Sequence, residues 1–266
     1  MIGAIIGDIA GSKYEFNNIR TTNFEIISKD CFFTDDTVCT IACMDWLLHA
    51  KNRNKQTAVQ YLQKWTRKYP NAGYGARFRN WVFSDNPKPY GSYGNGSAMR
   101  ISPIAWAAKD MKELMNLVDD FTSITHNHPE GIKGAFVTAV CIYDALQRKS
   151  KKAIKEHMLH AYPEISSFDY ETLRKTYRFN ETCQQSVPQA IYCFLISNDF
   201  EDCIKKTISI GGDCDTTAAI SCAIAEAYYK DIPPTLLQKA RLKLPAEMND
   251  IIDEFQLKYC NWNKTI

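Results

Sequence analysis

The 266-residue chain lacks an excess of charge of either sign and has no long run of like charges. Its 32 basic and 30 acidic residues leave a formal net charge of +2. A protein whose main partner is a phosphate backbone usually carries a basic stripe or patch. The composition therefore gives no strong signal for nucleic acid as a partner.

The chain also lacks a long apolar run and any C-x-x-C pair. Its first segment, MIGAIIGDIAG, is too short to span a bilayer, has no basic residues ahead of it and carries Asp8 inside the apolar stretch. The ten cysteines are scattered, and several, such as Cys39 and Cys222, lie in apolar helical patterns where a thiol acts as a small hydrophobe. We therefore expect a cytoplasmic protein with reduced thiols and no membrane contact.

Strand-like alternation is scarce, and no low-complexity tract, fixed-period repeat or Pro-rich linker is present, whereas helical periodicity runs through most of the chain. The predicted helices are Val38–Ala50, Thr57–Tyr69, Ser97–Lys109, Met111–Ser123, Pro129–Arg148, Lys151–Ala161, Gln184–Ser197, Phe200–Ile208, Thr216–Tyr229, Thr235–Lys243 and Ala246–Lys258. The polar stretch Arg148–Thr182 reads as an insertion or a variable helical segment. The sequence predicts an all-α, compact single domain over residues 1–266, and we expect a monomer.

Two acidic motifs stand at the starts of predicted helices: FTDDT at residues 33–37 and GGDCDT at residues 211–216. Oxygen ligands without histidine or cysteine at metal-binding spacing suit Mg²⁺, Mn²⁺ or Ca²⁺ rather than zinc. If the motifs converge, their like charges need cations, and two metals would balance them better than one. The alternative is that each motif only caps its helix, since Asp and Thr are preferred N-caps. The carboxylates and hydroxyls concerned are Asp8, Glu15, Asp35, Asp36, Asp213, Asp215, Thr34, Thr37, Thr216 and Thr217.

A Gly-rich loop, GSYGNGSAMR at residues 91–100, precedes another predicted helix. Backbone amides of such a loop and of the helix start suit a phosphate or pyrophosphate, with Tyr93 stacking and Asn95 hydrogen-bonding; the alternative is a surface turn. Arg100 would pair with phosphate or with a buried acid. In THNHPEG, at residues 125–131, we expect His126 to be structural or to contact substrate, and His128 to be exposed. No Gly-x-Ser-x-Gly elbow or Walker loop supports acyl transfer or NTP hydrolysis.

Together these residues resemble the ADP-ribosylglycohydrolase family, also called the dinitrogenase-reductase-activating glycohydrolase family. The similarity looks greatest to the branch that contains ADP-ribosylserine and poly(ADP-ribose) hydrolases. Two stretches depart from the family pattern, Phe16–Asn18 and Arg148–Thr182, and these would shape the acceptor side. The matching blocks, in family order, are GAIIGDIAGSKYEF (3–16), FTDDT (33–37), GYGA (73–76), GSYGNGSAMR (91–100), TH (125–126), SVPQAIYCFL (186–195) and GGDCDT (211–216).

The resemblance implies an orthogonal helix bundle with a central site for two Mg²⁺ ions, or Mn²⁺. It implies hydrolysis at C1″ of ADP-ribose, which would release ADP-ribose from a modified protein or another conjugate. The general base would be Glu15, Asp35 or Asp36. The implied metal ligands are Glu15, Thr34, Asp35, Asp36, Asp213, Asp215 and Thr216. The implied substrate-binding residues are Gly91, Ser92, Tyr93, Gly94, Asn95, Gly96, His126 and Ile191.

Three other functions stay open at this point. The substrate could be O-acetyl-ADP-ribose, poly(ADP-ribose) or an ADP-ribosylated nucleic acid. The chain could bind ADP-ribose without turnover. It could also be a helical module in which both acidic motifs are caps.

Overall fold

The computed structural model describes residues 1–260, and all of its regular structure is helical within that range. The all-α prediction is thereby confirmed. Two short 3₁₀ turns, Ser12–Tyr14 and Pro163–Ser167, and one isolated bridge between Gly94 and Thr182 accompany the α-helices. The helices are α1 (Ile2–Gly11), α2 (Asp35–His49), α3 (Lys55–Lys68), α4 (Ala76–Val82), α5 (Gly96–Met99), α6 (Ser102–Ala107), α7 (Met111–Thr122), α8 (Pro129–Leu146), α9 (Lys151–Met158), α10 (Tyr170–Thr176), α11 (Cys183–Ile196), α12 (Phe200–Ser209), α13 (Cys214–Tyr229), α14 (Pro234–Arg241) and α15 (Ala246–Tyr259).

Helices α1 and α13 form the centre of the bundle and pack unusually closely. Three glycines, Gly3, Gly7 and Gly11, are spaced by four residues and so lie on one face of α1. A Cβ atom at Gly7 would lie 2.2 Å from the Ala218 carbonyl oxygen, and one at Gly11 would lie 2.5 Å from the Cα of Asp215. Only glycine allows this approach, which sets Asp8 and the segment after α1 beside the start of α13.

The prediction of one continuous helix over Ser97–Lys109 is wrong, because α5 ends at Met99 and α6 begins at Ser102. Pro103 explains the break. It has no N–H to donate to the Met99 carbonyl, and its ring would clash with that carbonyl. The same proline is tolerated in the first turn of α6, where its N–H would have no intrahelical partner.

The predicted insertion Arg148–Thr182 contributes α9, the 3₁₀ turn Pro163–Ser167 and α10. Its last residues return to the centre of the molecule, where Glu181 accepts a hydrogen bond from the Asn95 backbone at 2.7 Å. The segment is therefore joined to the Gly-rich loop.

All ten cysteines are free thiols, and all but Cys260 are buried. Within the part of the chain that the structure describes, no helix combines the length and apolarity needed to cross a bilayer.

Candidate active site

Asp8 organises the start of α2. Its buried carboxylate accepts hydrogen bonds from the Thr34 backbone N–H at 3.0 Å, the Thr34 hydroxyl at 2.7 Å and the Thr37 backbone N–H at 3.0 Å. The Thr37 hydroxyl donates to the same carboxylate. One side chain from α1 thus satisfies free donors of the first turn of α2. This holds Asp35 and Asp36, which lie between the two threonines, at a fixed place on the helix.

The start of α13 is shaped by its backbone. Gly211 and Gly212 have φ angles of +71° and +80°, a left-handed conformation that favours glycine. Asn18 holds Gly212 from both sides, donating to its carbonyl at 2.9 Å and accepting from its N–H at 2.7 Å. Arg20 donates to the carbonyl of Ile210 and, at 2.9 Å, to that of Tyr177. The glycine turn directs Asp213 and Asp215 toward α2.

The two acidic motifs meet. The Thr216 hydroxyl donates to Asp36 Oδ2 at 3.0 Å, across a sequence separation of 180 residues. Carboxylate oxygens of Glu15, Asp213 and Asp215 lie within 4.8 Å of one another. Asp35 lines the same cavity as these three residues. Helix capping alone does not explain this convergence, because one cap needs a single oxygen.

Burial and mutual repulsion raise the pKa values of the cluster. Burial, followed by the carboxylates of Asp8 and Asp213, raises the pKa of Asp35 to about 8. Burial and the Asp213 carboxylate raise the pKa of Glu15 to about 7. The pKa values of Asp36 and Asp215 are also raised, mainly by burial and then by neighbouring carboxylates. Positive charge entering the cluster would offset this repulsion and favour the carboxylate form of its members.

The residues present fit a divalent cation. Within residues 1–260, the ion pairs formed by lysine, arginine and histidine include none of these carboxylates. The second oxygen of Asp36, Oδ1, is buried and has no hydrogen-bond donor. Carboxylate and hydroxyl oxygens are the ligands that hard cations prefer. The site can therefore hold a divalent metal.

A cavity of about 370 Å³ extends from the cluster to the Gly-rich loop. Asn95 joins the two, since its amide donates to Asp213 Oδ2 at 2.6 Å and to the Ser186 hydroxyl at 3.0 Å. Ser92, Gly94, Asn95 and Gly96 line the cavity. A Cβ at Gly94 would lie 3.3 Å from the Glu181 carbonyl oxygen, so the loop is tightly backed by the chain beside it.

His126 lines the cavity from below the loop and is 4% exposed. Its Nδ1 atom lies 2.7 Å from the Thr125 hydroxyl oxygen, which also accepts a hydrogen bond from Arg100 at 2.7 Å. Its Nε2 atom faces the loop, 3.5 Å from the position of a Cβ at Gly96. Burial and the Arg100 charge hold the His126 pKa well below its ordinary value, so the ring is neutral.

Other predicted site residues lie away from the cavity wall. Gly91 and Tyr93 belong to the loop but do not line the cavity, and the Tyr93 ring is 46% exposed. The Thr34 hydroxyl donates to Asp8 rather than into the cavity. Ile191 is fully buried within the hydrophobic core, so α11 turns this side chain away from the cavity.

Several functional residues carried no clear sequence signal. Asn18 and Arg20 act on backbone that is about 190 residues distant, and Glu181 lines the cavity from the polar segment before α11. A weaker signal existed for others, which lie within two residues of motifs already singled out. These are Arg77, Phe78 and Tyr90.

Comparisons with known proteins agree with this geometry. The sequence model of the ADP-ribosylglycohydrolase family matches residues 1–264. ADP-ribosylhydrolase ARH3 of Mus musculus is 26% identical over 305 residues, covering 86% of this chain and 82% of the relative. The ADP-ribosyl-[dinitrogen reductase] glycohydrolase of Rhodospirillum rubrum is 28% identical over 170 residues, covering 63% of this chain and 57% of that protein.

A solved structure titled ADP-ribosylglycohydrolase-related protein complex has the same fold, with a TM-score of 0.73 and 22% sequence identity. The similarity covers 96% of this chain and 94% of that one. The match of the family model along nearly the whole chain is consistent with the acidic cavity described above. The chain belongs to the ADP-ribosylglycohydrolase family, whose members are glycosidase-type hydrolases.

Proposed function

We propose that this protein hydrolyses the glycosidic bond at C1″ of ADP-ribose and releases ADP-ribose from a modified protein or another acceptor. The observation that supports this most is the hydrogen bond from Thr216 to Asp36, which joins both acidic motifs at one end of the cavity. The Gly-rich loop lines the same cavity and contacts the acidic cluster through Asn95. The cavity thus brings groups suited to a reacting ribose and groups suited to a pyrophosphate side by side.

The metal ligands in this proposal are Glu15, Asp35, Asp36, Asp213, Asp215 and Thr216, with Thr34 at the edge of the set. They would hold two Mg²⁺ ions, or Mn²⁺. Cations bound there supply Lewis acidity toward the ribose hydroxyls and lower the pKa of water. These ligand side chains would also fix the position of the ribose relative to the general base.

Glu15 and Asp35 are better placed than Asp36 to move a proton. Both line the cavity. Asp36 is 2% exposed and accepts a hydrogen bond from Thr216, so its carboxylate is committed to the junction of the two motifs. We therefore assign the general base to Glu15 or Asp35. It would take a proton from the water whose oxygen bonds to C1″, while the bond from C1″ to the acceptor breaks and the leaving acceptor atom takes up one proton in return.

The loop and His126 would bind the pyrophosphate and its neighbouring ribose. His126 Nδ1 contacts the Thr125 hydroxyl, which also accepts from Arg100 and donates to the Thr122 carbonyl at 3.4 Å. The neutral ring presents Nε2 to the loop, where it can hydrogen-bond a ligand. Binding energy from these contacts would position the reacting carbon.

Release of ADP-ribose from defined conjugates tests the proposal. The panel holds ADP-ribose linked to serine, to arginine, to a second ADP-ribose, to an acetyl group and to a nucleic acid, each assayed with Mg²⁺, Mn²⁺ and EDTA. We expect metal-dependent release from at least one conjugate and none with EDTA. ADP-ribose binding without any metal-dependent release would contradict the proposal and would support a non-catalytic binder.

We also propose that residues 1–266 form one domain. One large hydrophobic core supports it, because this core joins α1 near the start of the chain to α15 near its end, and a small second cluster lies around Leu173 and Tyr177. The monomeric state stays a prediction, which sedimentation equilibrium would test.

A further inference from the structure

A basic groove lies outside the cavity, and of its residues only Arg20, which supports the glycine turn before α13, was described above. Its volume is about 350 Å³, and we define it by its lining residues, Arg20, Glu171, Arg174, Lys175 and Arg178. Glu171 is the groove's one acid, and it pairs with Arg174 at 2.9 Å. Among residues 1–260, no ion pair neutralises Arg20, Lys175 or Arg178. The groove therefore presents a surplus of positive charge.

The cations of the basic groove repel one another and leave a donor unused. Burial, followed by the charges of Arg178 and Arg174, lowers the pKa of Arg20. The Nε of Arg174 is buried without a hydrogen-bond acceptor. An anion in the groove would relieve the repulsion and supply an acceptor, and guanidinium groups are well matched to phosphate.

Two segments lead from the cavity to the basic groove, and they carry the same types of residue in the same order. One runs from Glu15 past Phe16 to Arg20. The other runs backward along the chain from Glu181 past Phe179 to Arg178. Each begins with a carboxylate at the cavity and ends with an arginine in the groove.

An exposed aromatic pair joins the two segments, and one of its members, Phe16, also lines the cavity. The rings of Phe16 and Phe179 lie 5.8 Å apart at an interplanar angle of 30°. Their residues are 79% and 41% exposed. Two adjacent exposed rings beside a site form an apolar patch that a ligand can cover. Aromatic rings next to a positive groove are the combination that binds single-stranded nucleotides, through base stacking and phosphate contacts.

We propose that the Phe16–Phe179 pair and the basic groove bind a nucleotide on the acceptor side of the scissile bond, the rings stacking on its base and the arginines binding its phosphate. An acidic peptide would satisfy the cations but would leave the rings without a partner. From Glu181 to Arg178 the chain spans at most about 11 Å, so the cavity edge, the rings and the groove lie close enough together for one nucleotide to contact both rings and groove. This inference rests on the proposed function.

The test compares acceptors within one set of variants. Four conjugates are assayed: an ADP-ribose dimer, an ADP-ribosylated oligonucleotide, and ADP-ribosylserine in a neutral and in an acidic peptide. Lys175→Glu, with and without Arg178→Glu, reverses groove charge, and Phe179→Ala removes one ring. Lys112→Glu on α7 is the matched control, because this exposed lysine lines neither the cavity nor the groove.

We expect the charge reversals to lower kcat/KM at least about 10-fold on a nucleotide acceptor, with a weaker salt dependence than the unaltered protein. Phe179→Ala should lower it about 5-fold or more. On the neutral peptide, kcat/KM of the groove and ring variants should change less than about 2-fold. The control Lys112→Glu should change less than about 2-fold on each conjugate. A loss on the dimer would indicate that the nucleotide belongs to a second ADP-ribose unit, and a loss on the oligonucleotide would indicate that it belongs to a nucleic acid.

Other outcomes would overturn the inference. Equal losses on the neutral peptide would mean that the groove serves ADP-ribose itself, and equal losses on the acidic peptide would mean that it binds negative charge without a base. Lys175→Glu remains informative if Arg178→Glu fails to fold, because the Arg178 side chain donates to the backbone carbonyls of Lys175 and Tyr177, whereas the Lys175 side chain makes no such bond. If the unaltered protein cleaves none of the conjugates, the proposed function fails instead.

Discussion

The two acidic walls of the cavity hold their carboxylates by different means. At the start of α2, which we call the α2 wall, the side chain of Asp8 binds backbone and hydroxyl donors of Thr34 and Thr37. At the start of α13, the α13 wall, two glycines in left-handed backbone set the direction of Asp213 and Asp215. One wall is fixed by a buried charge and the other by a turn that Asn18 and Arg20 hold from outside.

From this difference we expect that the two walls are not held equally firmly. The α2 wall is anchored on α1 inside the core, whereas the residues that hold the α13 wall belong to the segment that leads to the basic groove. A ligand on the acceptor side would therefore touch the support of the α13 wall and leave that of the α2 wall unchanged. The following predictions test whether both walls are needed and whether their supports differ.

The largest expected effect comes from removing one carboxylate from either wall. Asp36→Asn and Asp215→Asn should each lower kcat about 10³-fold or more, because each deletes a ligand of a shared cation site. The helical circular-dichroism spectrum should be unchanged. Added Mg²⁺ should raise the Tm of the unaltered protein and should raise it much less in either variant. If one variant kept full activity, its wall would have no part in the chemistry.

Loss of the buried anchor of the α2 wall should be the largest effect on stability. Asp8→Ala leaves the N–H and hydroxyl groups of Thr34 and Thr37 without their acceptor, and we expect a loss of about 3 kcal/mol in the free energy of unfolding. Urea denaturation measures it. Asp8→Asn retains one acceptor oxygen and serves as the milder control. A loss below about 0.5 kcal/mol for Asp8→Ala would show that α2 does not depend on this anchor.

The matching change on the α13 wall should lower the free energy of unfolding by a smaller amount. Asn18→Ala removes the two hydrogen bonds to Gly212 and those that the amide donates to the Tyr14 and Glu15 carbonyls. We expect a loss of about 1 kcal/mol in the free energy of unfolding because the residue is exposed and water can replace the side chain. Activity should fall further than stability, since the turn that directs Asp213 and Asp215 loosens. Parallel urea and kcat/KM measurements would show this, and equal falls in Asp8→Ala and Asn18→Ala would remove the distinction between the walls.

The sequence predicts the acidic motifs of both walls but not the helix α1 that supports them. FTDDT and GGDCDT were recognisable as paired motifs because the acids, threonines and glycines are local in sequence. Helix α1 was not predicted, since Gly3, Gly7 and Gly11 lower helix propensity and complete burial removes any amphipathic period. Its conformation is decided by the contact with α13, which no local pattern reveals.

The same reason explains which site residues were missed. Asn18 and Glu181 act through contacts with distant backbone, so their local sequence shows only a polar loop. Ile191 was expected at the substrate because its motif resembles that of the family. Its place in the core depends on the rotation of α11, which neighbouring helices set. Segment-level resemblance does not fix the direction of a single side chain.

The smallest effect concerns pH in protein stripped of metal. The folded-state pKa values of Glu15 and Asp35, about 7 and about 8, lie above their ordinary values near 4. Between these limits the folded state binds more protons than the unfolded chain, so stability falls as pH rises through the window. In EDTA we expect the Tm at pH 8 to lie more than about 4 °C below that at pH 5.5. Mg²⁺ should reduce this slope, and Asp35→Asn should reduce it in EDTA; an equal slope in all three cases would contradict the shared site.

The most direct test is an anomalous difference map from crystals grown with Mn²⁺. It should show density between the two walls, with oxygens of Asp35 or Asp36 and of Asp213 or Asp215 about 2.0–2.3 Å from the same group of ions. Crystals of Asp36→Asn and of Asp215→Asn should each lose density there. Density held by one wall alone, or no density at saturating Mn²⁺, would contradict the claim that both motifs together form the catalytic centre.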